Sequence, residues 1–335
     1  MTEIVEQEAD LLAMASLVTP MTVRMAATLR LADHLTPEPR TAQELASLVG
    51  ANVDILDRLL RHLCSIGVLY SDSLGVYRLT PRGEPLREGH PSQLRARLTV
   101  EGAEGRADLC LTHLLHTVCT GKPAFPEQYG QPFWDDLSTH EAVAESFHRR
   151  MATAIGSAAP AIVAAYNWGS LGHVVDVGGG SGALLIAMLR KYPDLRGTVV
   201  DLPPVADLAR QAFAEAGLAG QATAMAGSFF DPLPADAGGY VLSAVIHNWD
   251  DDQARAILRR CSEATGDDGR VFVIEKIGSD GGSLSTETDL RMAAYFGARE
   301  RNLAEIRRLA SSAQLDVTGI HAADGCVVVE MVSGR

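Results

Sequence analysis

A glycine-rich segment constrains the fold of this 335-residue chain more than any other feature of its sequence. Residues 173–177 form a short, β-branched stretch, four of the next five residues are glycine, and residues 183–189 are apolar. A strand that runs through such a turn into a helix is typical of nucleotide-cofactor binding. Without Cβ atoms, the backbone can turn sharply and let a cofactor approach the first amides of the helix. The sequence therefore predicts an α/β fold with a cofactor site.

Two acidic residues flank this turn and leave two cofactor classes open. Gly178, Gly180 and Ala183 fit the dinucleotide pattern G-x-G-x-x-A, with Asp201 at the end of the next strand as the ribose-binding acid. Asp176 and the glycines also fit D-x-G-x-G-x-G, the pattern of S-adenosylmethionine enzymes. Taken alone, the turn fits a nicotinamide dehydrogenase as well as a methyltransferase.

The first hundred residues predict a helical module with a hairpin. Thr41 and Glu44 fit a capping box at the start of one helix. The next helix, over residues 54–66, has apolar residues at helical spacing: Ile55, Leu59, Leu63 and Ile66. Short apolar runs at 68–70 and 76–79 predict the hairpin. This order of elements outlines a winged helix, so a ligand-responsive DNA-binding regulator is an alternative function.

The charge of the chain argues against a nucleic-acid surface. The formal net charge is −13 at pH 7. Residues 1–100 contain ten arginines and no lysine against twelve acidic residues. Binding to phosphates needs the opposite sign. We therefore expect the N-terminal module to pack against a second copy of the chain rather than on DNA.

The N-terminal stretch and the cysteines predict a cytoplasmic protein without a membrane span. The apolar stretch Leu11–Leu29 contains Pro20 and Arg24, so it predicts a pair of packed helices. The acidic start of the chain lacks the basic region of a signal peptide. The five cysteines are widely spaced and include no C-x-x-C pair, which indicates reduced thiols.

Motifs beyond the glycine turn distinguish between the two cofactor classes. Residues 227–234 read GSFFDPLP, an apolar strand covers 240–246, and residues 247–251 read HNWDD. With these motifs the chain resembles the small-molecule O-methyltransferases that include the plant caffeate type and bacterial relatives acting on aromatic polyketides. The resemblance extends from the N-terminal module to residues 295–301 and implies S-adenosylmethionine as cofactor and a phenolic hydroxyl as acceptor. A family member that keeps the cofactor for other chemistry, such as hydroxylation, is a further alternative.

The resemblance implies a seven-stranded Rossmann-like sheet behind a winged-helix-like dimerisation domain. Strands are expected near 173–177, 198–202, 222–226, 240–246, 270–276, 315–321 and 326–332, with helices between all but the last pair. Only Ala322–Gly325 separates that pair, which predicts an antiparallel last strand. We expect dimerisation by residues 1–100, a helical linker contributing to the substrate pocket over 101–165, and cofactor binding and catalysis by 166–335.

The same resemblance implies the cofactor contacts. They are Asp176, Gly178 and Gly180 at the methionine end, Asp201 at the ribose, Ser228 and Phe229 at the adenine, and Ser243 near the cofactor. Two positions depart from the plant enzymes, which usually carry an acid where this chain has Ser228 and often a lysine where it has Ser243. Phe229 is expected to supply a flat apolar contact.

The catalytic residues implied by the resemblance are a histidine and two acids. His247 matches the base, and an imidazole with an ordinary pKa of about 6.5 is largely neutral at pH 7 and can accept the phenolic proton. Glu275 and Glu300 match the acids that orient the histidine. A carboxylate on one ring nitrogen fixes the tautomer. Surface ion pairs with Lys276 or Arg299 are the alternative for these acids.

Aromatic, methionine and amide side chains are the candidates for the substrate pocket. They are Trp134, Phe147, Met151, Asn248, Trp249, Met292 and Phe296. The aromatic and methionine residues could equally belong to the core, and Asn248 stands beside the expected acceptor where many relatives have an aspartate. No metal site is expected, because the acids at 250–252 suit a helix start and His113 and His116 lack further ligands. The expected partners are an aromatic small molecule and a second copy of the chain, without nucleic acid or membrane.

Overall fold

A computed structural model describes residues 2–266, 269–277 and 285–334 and divides the chain into two compact units. The N-terminal unit contains Met1–Leu109 and His140–Phe147, and the C-terminal unit contains Cys110–Thr139 and His148–Arg335. The functional division at residues 100 and 165 stays a prediction.

The N-terminal unit is mainly helical. Its helices are α1 (Thr2–Ala15), α2 (Val18–Thr28), α3 (Leu31–Leu35), α4 (Ala42–Val49), α5 (Val53–Ser65), α6 (Leu94–Leu98) and α7 (Ala103–Asp108). Its strands are β1 (Arg40–Thr41), β2 (Leu69–Ser71) and β3 (Val76–Leu79). They form an antiparallel sheet of order β1-β3-β2, which confirms the predicted hairpin.

The two predicted helices of this unit are present, with one difference in their packing. The capping box is confirmed, because the Thr41 hydroxyl accepts from the Glu44 backbone N–H and the Glu44 carboxylate accepts from the Thr41 backbone N–H. The stripe predicted along α5 is wrong by one position at its start. Ile55 is 58% exposed, and the buried residues are Leu56, Leu60 and Leu63. Both sets have helical spacing, so periodicity alone could not decide which face packs.

The stretch before α3 carries exposed apolar side chains. Asp10–Thr28 is long and apolar enough to cross a membrane by length and composition, the one such stretch in the described ranges. A break at Ser16 and Leu17 divides it into α1 and α2, as predicted. Although α2 packs against α5 and α6, several side chains of the stretch are exposed: Leu11, Leu12, Met14, Leu17 and Val18. Such an uncovered apolar surface is a property of subunit interfaces.

The C-terminal unit alternates strands and helices. Its strands are β4 (His173–Val177), β5 (Arg196–Asp201), β6 (Ala222–Ala226), β7 (Gly239–Ser243), β8 (Arg270–Glu275), β9 (Leu315–Ala323) and β10 (Cys326–Ser333). Its first helices are α8 (Leu114–Thr120), α9 (Phe125–Tyr129), α10 (Phe133–Thr139) and α11 (Glu141–Ala165, from His148 onward in this unit). The others are α12 (Ala183–Lys191), α13 (Pro203–Glu215), α14 (Asp251–Thr265), α15 (Thr286–Phe296) and α16 (Leu303–Ser312).

The seven strands form one sheet of order β6-β5-β4-β7-β8-β10-β9. The neighbours from β6 to β8 pair in parallel, and β10 pairs antiparallel with both β8 and β9. The predicted seven-stranded sheet with an antiparallel last strand is therefore confirmed. Because the carboxyl ends of parallel strands meet at one edge, the residues that follow β4, β5, β7 and β8 are brought to the same side of the sheet.

One predicted connection is wrong. No helix joins β6 to β7, and residues 227–238 form turns and irregular backbone instead. Pro232 and Pro234 remove two N–H donors from this segment, and Asp236 has a left-handed backbone with φ of +62°. Both features oppose a helix.

Helices cover both faces of this sheet. On one face, α14 and α16 bury side chains such as Ile257 and Ile306 against the strands. On the other, α12 and α13 bury Leu185 and Phe213. Each of these four side chains is at most 1% exposed. The two cores hold the strand ends, and hence the site, on rigid elements.

Candidate active site

The glycine turn joins β4 to α12 at the carboxyl edge of the sheet. Gly178, Gly180 and Gly182 have φ angles of +70°, +59° and +77°. This left-handed backbone favours glycine. At Gly182, a Cβ atom would also lie 2.5 Å from the ring of Phe213. The turn therefore requires glycine for its backbone conformation and, at its last position, for packing.

Asp176 lies directly beneath the turn. It is 2% exposed, and a Cβ atom placed on Gly179 would lie 2.6 Å from its carboxylate. Its Oδ1 atom has no hydrogen-bond partner among the residues that the structure describes. Burial and, after it, the negative charge of Asp201 raise the pKa of Asp176 to about 7. A buried acceptor without a donor is costly, and a bound donor or cation would satisfy it.

Asp201, at the end of β5, lies beside the same turn. Its carboxylate accepts hydrogen bonds from the backbone N–H of Gly180 at 2.9 Å and of Leu202 at 2.7 Å. Burial raises the pKa of Asp201, while these two bonds and the charge of His148 act in the opposite direction. Each carboxylate oxygen keeps a second lone pair, so Asp201 can hold the turn and still accept hydrogen bonds from a ligand.

Three further predicted cofactor residues lie on neighbouring segments. A Cβ atom on Gly178 would lie 3.4 Å from the ring of Phe229, so that ring lies against the turn. The Ser228 hydroxyl accepts a hydrogen bond from the Phe230 backbone N–H at 3.2 Å. Ser243 is half-buried at the end of β7, between β4 and β8. Phe229 thus has the clearest geometric relation to the turn.

His247 lies on a single 3₁₀ turn, Ile246–Asn248, that follows β7. Its Nδ1 atom lies 2.6 Å from Oε2 of Glu275, the last residue of β8, and its backbone N–H donates to Oε1 of the same carboxylate at 3.4 Å. The side chain of His247 is 21% exposed and that of Glu275 is 5% exposed. The carboxylate therefore holds both the ring and the backbone of His247, and it leaves Nε2 for other contacts.

The charges around His247 act in opposite directions. Burial lowers the pKa of the imidazole, but the charge and the hydrogen bond of Glu275, followed by the charge of Glu300, outweigh it and raise this pKa above its ordinary value. Burial also raises the pKa of Glu300, which His247 opposes. The backbone N–H of Glu300 donates to Asp289 at 2.8 Å. Of the two predicted acids, Glu275 makes the hydrogen bond to the ring, and Glu300 contributes charge.

Six aromatic side chains form one cluster: Phe133, Trp134, Phe229, Phe230, Trp249 and Phe296. Three of them, Trp134, Trp249 and Phe296, are predicted substrate residues. The ring of Trp134 is nearly parallel to that of Trp249, at 5.9 Å and 15°, and to that of Phe296, at 5.3 Å and 12°. Phe230 meets Trp249 edge to face at 5.0 Å. The cluster connects α10, the loop after β6, the histidine turn and α15.

The other predicted substrate residues lie outside this cluster. Met151 on α11 and Met292 on α15 are half-buried. The Asn248 side-chain amide donates to the backbone carbonyl of Ala244 at 3.3 Å, so it binds the turn that carries His247. Phe147 is half-buried and belongs to the N-terminal unit. The roles of these four residues stay predictions.

Arg301 is part of the site but was not among the predicted residues. It is 3% exposed, and its guanidinium donates to the backbone carbonyls of Ile246 and Trp249 on either side of His247. A fully buried arginine is rare and is normally paired. Its position directly after Glu300 is the one sequence feature that could have marked Arg301 as a site residue. Sequence alone does not show that an arginine is buried.

The fold and the site define an α/β transferase of the methyltransferase class, with an acid-flanked glycine turn and a histidine–carboxylate pair at one edge of a seven-stranded sheet. The chain belongs to the O-methyltransferase family. The O-methyltransferase domain matches residues 111–315, and the O-methyltransferase dimerisation domain matches residues 11–88. The predicted family is thereby confirmed.

Relatives of known activity are similar over nearly the whole chain. The 2,7-dihydroxy-5-methyl-1-naphthoate 7-O-methyltransferase of Streptomyces carzinostaticus is 50% identical over 321 residues, 96% of each chain. Aclacinomycin 10-hydroxylase RdmB of Streptomyces purpurascens is 43% identical over 318 residues, 92% of this chain and 85% of that one. The crystal structure of the O-methyltransferase NcsB1 from neocarzinostatin biosynthesis, with S-adenosylmethionine and 2-hydroxy-5-methyl naphthoic acid, matches with a TM-score of 0.92 at 50% identity, covering 96% of this chain and 98% of that one.

Proposed function

We propose that this chain is an S-adenosylmethionine-dependent O-methyltransferase that methylates a phenolic hydroxyl of an aromatic, polyketide-type intermediate, such as a hydroxynaphthoate or an anthraquinone. The observation that carries the proposal is the 2.6 Å contact between His247 and Glu275 at the same sheet edge as the buried acid Asp176. The 50% identity to a naphthoate O-methyltransferase supports the acceptor class.

The residues around the glycine turn fit the cofactor. The unsatisfied Oδ1 atom of Asp176 suits the cationic methionine end, and Gly178 and Gly180 let the ligand approach the backbone. Asp201 would accept from the ribose hydroxyls. Bound S-adenosylmethionine would supply a methyl group on a sulfonium, which is an electrophile for an oxygen nucleophile. Ser228 and Phe229 would contact the adenine, and Ser243 would lie near the cofactor.

His247 would act as the base. With the Glu275 carboxylate accepting the Nδ1 proton, the neutral ring presents the lone pair of Nε2. This nitrogen can take the phenolic proton, which makes the oxygen a stronger nucleophile, and Glu275 then stabilises the imidazolium. Glu300 would support the same positive charge from a greater distance. The raised pKa of the imidazole increases its basicity toward a phenol.

The aromatic cluster would hold the acceptor ring. Trp134, Trp249 and Phe296 are within 15° of parallel in their stacked pairs, and flat faces of this kind favour a planar, fused-ring ligand. We include Phe147, Met151, Asn248 and Met292 in the pocket, on the family pattern. The proposal also includes a homodimer formed through residues 1–100, a helical linker over 101–165 and a catalytic domain over 166–335. We place the enzyme in the cytoplasm, which its five free cysteines support.

Mass spectrometry of reaction products tests this function. The purified protein is incubated with methyl-labelled S-adenosylmethionine and a panel of hydroxylated naphthoates, anthraquinones and simple catechols. We expect one labelled methyl group on one phenolic oxygen of a fused-ring acceptor. A product that gains 16 mass units and no label would support hydroxylation, the chemistry of the relative that is 43% identical. If no product forms and the protein is retained on duplex DNA, the alternative function as a ligand-responsive DNA-binding regulator would be supported.

A further inference from the structure

Arg301 binds the backbone on both sides of the proposed catalytic base. Its Nη1 atom donates to the Ile246 carbonyl at 2.6 Å, and Nη2 donates to the Trp249 carbonyl at 2.8 Å. Nε and Nη2 both donate to Oδ1 of Asp251, at 3.0 and 2.8 Å. The Arg301 side chain is 2% exposed. One guanidinium thus joins the start and the end of the turn that carries His247 to the first residue of α14.

This arrangement requires the geometry of arginine. Guanidinium is planar and has five N–H donors in a fixed fork, whereas an ammonium group is a point charge on a flexible stem. Three acceptors on different residues are satisfied here by one rigid group. The backbone just before this turn is strained, because Ala244 is not a glycine and has a left-handed φ of +55°. The Asn248 side chain donates a hydrogen bond to the carbonyl of Ala244.

We propose that Arg301 is a positioning residue for the methyl transfer, and that its guanidinium fixes the Ile246–Trp249 backbone so that Nε2 of His247 is held toward the acceptor hydroxyl. This inference rests on the proposed function, in which His247 is the base. Glu275 fixes the ring through Nδ1, and Arg301 fixes the backbone that carries the ring. Both constraints are needed, because a displacement of about 1 Å can cost about 10²-fold in rate.

Arg301 also balances the charge around the imidazole. Two carboxylates face His247, Glu275 from β8 and Glu300 from the segment before α16, and Arg301 is the cation that opposes them. Asp289 and Lys276 act on Glu300 in turn. Loss of the guanidinium removes the positive charge that lowers the pKa of His247, so this pKa rises. Since the base must be neutral, the acidic limb of the rate profile then moves to higher pH.

The test measures single-turnover methyl transfer against pH, together with the binding of S-adenosylhomocysteine by calorimetry. For Arg301→Met, we expect the rate to fall about 10²-fold and the acidic limb to move up by about half a pH unit. For Arg301→Lys, which keeps the charge, the rate falls about tenfold and the limb stays in place. Cofactor-product affinity stays within about twofold of wild type in both variants, because the hydrogen bonds of Arg301 go to Ile246, Trp249 and Asp251 and not to the glycine turn or its two flanking acids.

Arg299→Met is the matched control. Arg299 also pairs with Asp251, at 3.2 Å, but its side chain is 46% exposed and it also pairs with Glu305. We expect its rate and pH profile to match wild type. Asp251→Asn supplies a second route if Arg301→Met does not fold, because it weakens the anchor from a side chain that is 55% exposed. Its rate should fall about threefold to tenfold.

The double variant His247→Ala/Arg301→Met separates this inference from the proposed function. If Arg301 acts through His247, then replacing Arg301 in a protein that already lacks His247 lowers the rate of methyl transfer by less than about a further twofold. If the second substitution instead lowers the rate as much as Arg301→Met does in the wild-type background, the effect is a general one on the fold, and the inference is overturned. Wild-type rates of methyl transfer in both Arg301→Lys and Asp251→Asn would also overturn it. A wild-type rate in His247→Ala alone would instead refute the base, and the inference with it.

Discussion

Asp176→Asn should stabilise the protein free of cofactor while weakening cofactor binding. The pKa of Asp176 is raised from 3.8 to about 7 by burial and by Asp201. Because the folded-state pKa is raised, the contribution of Asp176 to the free energy of unfolding is fully present below pH 3.8 and is lost as the pH rises through about 7. At 1.36 kcal/mol per pH unit, the loss reaches about 4 kcal/mol above pH 7. Asparagine does not titrate and has the same shape.

Comparing two pH values isolates this effect from the cost of burying an amide. Between pH 5 and pH 8, the wild type should lose about 3 kcal/mol that the variant keeps, since the ionisation of Asp176 is complete in this interval. Urea denaturation of both proteins at both pH values measures the difference. Calorimetry should show S-adenosylhomocysteine bound about 10- to 100-fold more weakly, the loss of one charged hydrogen bond. Equal pH dependence of the two proteins would refute the reasoning.

Further variants test the base, the turn and the pocket. Glu275→Gln should lower the single-turnover rate about 10²- to 10⁴-fold and move the acidic limb to lower pH, because the carboxylate that raises the pKa of His247 is lost; an unchanged limb would contradict this. Gly182→Ala should unfold at markedly lower temperature, since its Cβ would lie 2.5 Å from an aromatic ring, whereas Gly180→Ala meets nothing within 4 Å and should cost only about 1 kcal/mol. Trp134→Ala should raise KM for a naphthol at least tenfold and leave cofactor affinity unchanged, and equal losses in both would argue against a pocket role.

Features determined by neighbouring residues could be predicted from the sequence. The capping box of Thr41 and Glu44 needs only two side chains three residues apart. The final hairpin needs only a short link, which is the pair Asp324 and Gly325 in the structure. The glycine turn belongs to the same group, because left-handed backbone at Gly178, Gly180 and Gly182 follows from the residue type.

Features that depend on long-range packing could not be predicted. The face of α5 that packs depends on its neighbours, and two stripes of equal spacing left the choice open. The contact of Trp134 with Trp249 joins residues that are more than a hundred positions apart. Arg301 reaches back about fifty residues to carbonyl groups, which carry no side-chain signal in a sequence. Family resemblance supplied His247 and Glu275, but only the three-dimensional structure shows which acid makes the hydrogen bond.

The sheet uses two buried carboxylates at one edge in opposite ways. Asp176, near the end of β4, has an oxygen without a donor among the described residues, so its charge is available to a cationic ligand. Glu275, at the end of β8, has a donor in His247, so its charge makes a base stronger. β7 pairs with both strands, with Asp176 opposite Val241 and Glu275 one residue beyond the pair of Ser243 and Ile274. The two acids are therefore two strand spacings apart across the sheet and about three residues apart along it, roughly 14 Å in all. If the two acids were directly opposite each other on adjacent strands, they would be about 5 Å apart, and the negative charge that raises the pKa of His247 would further raise the pKa of Asp176. This separation would let one edge of the sheet hold both the proposed cationic cofactor and the proposed base.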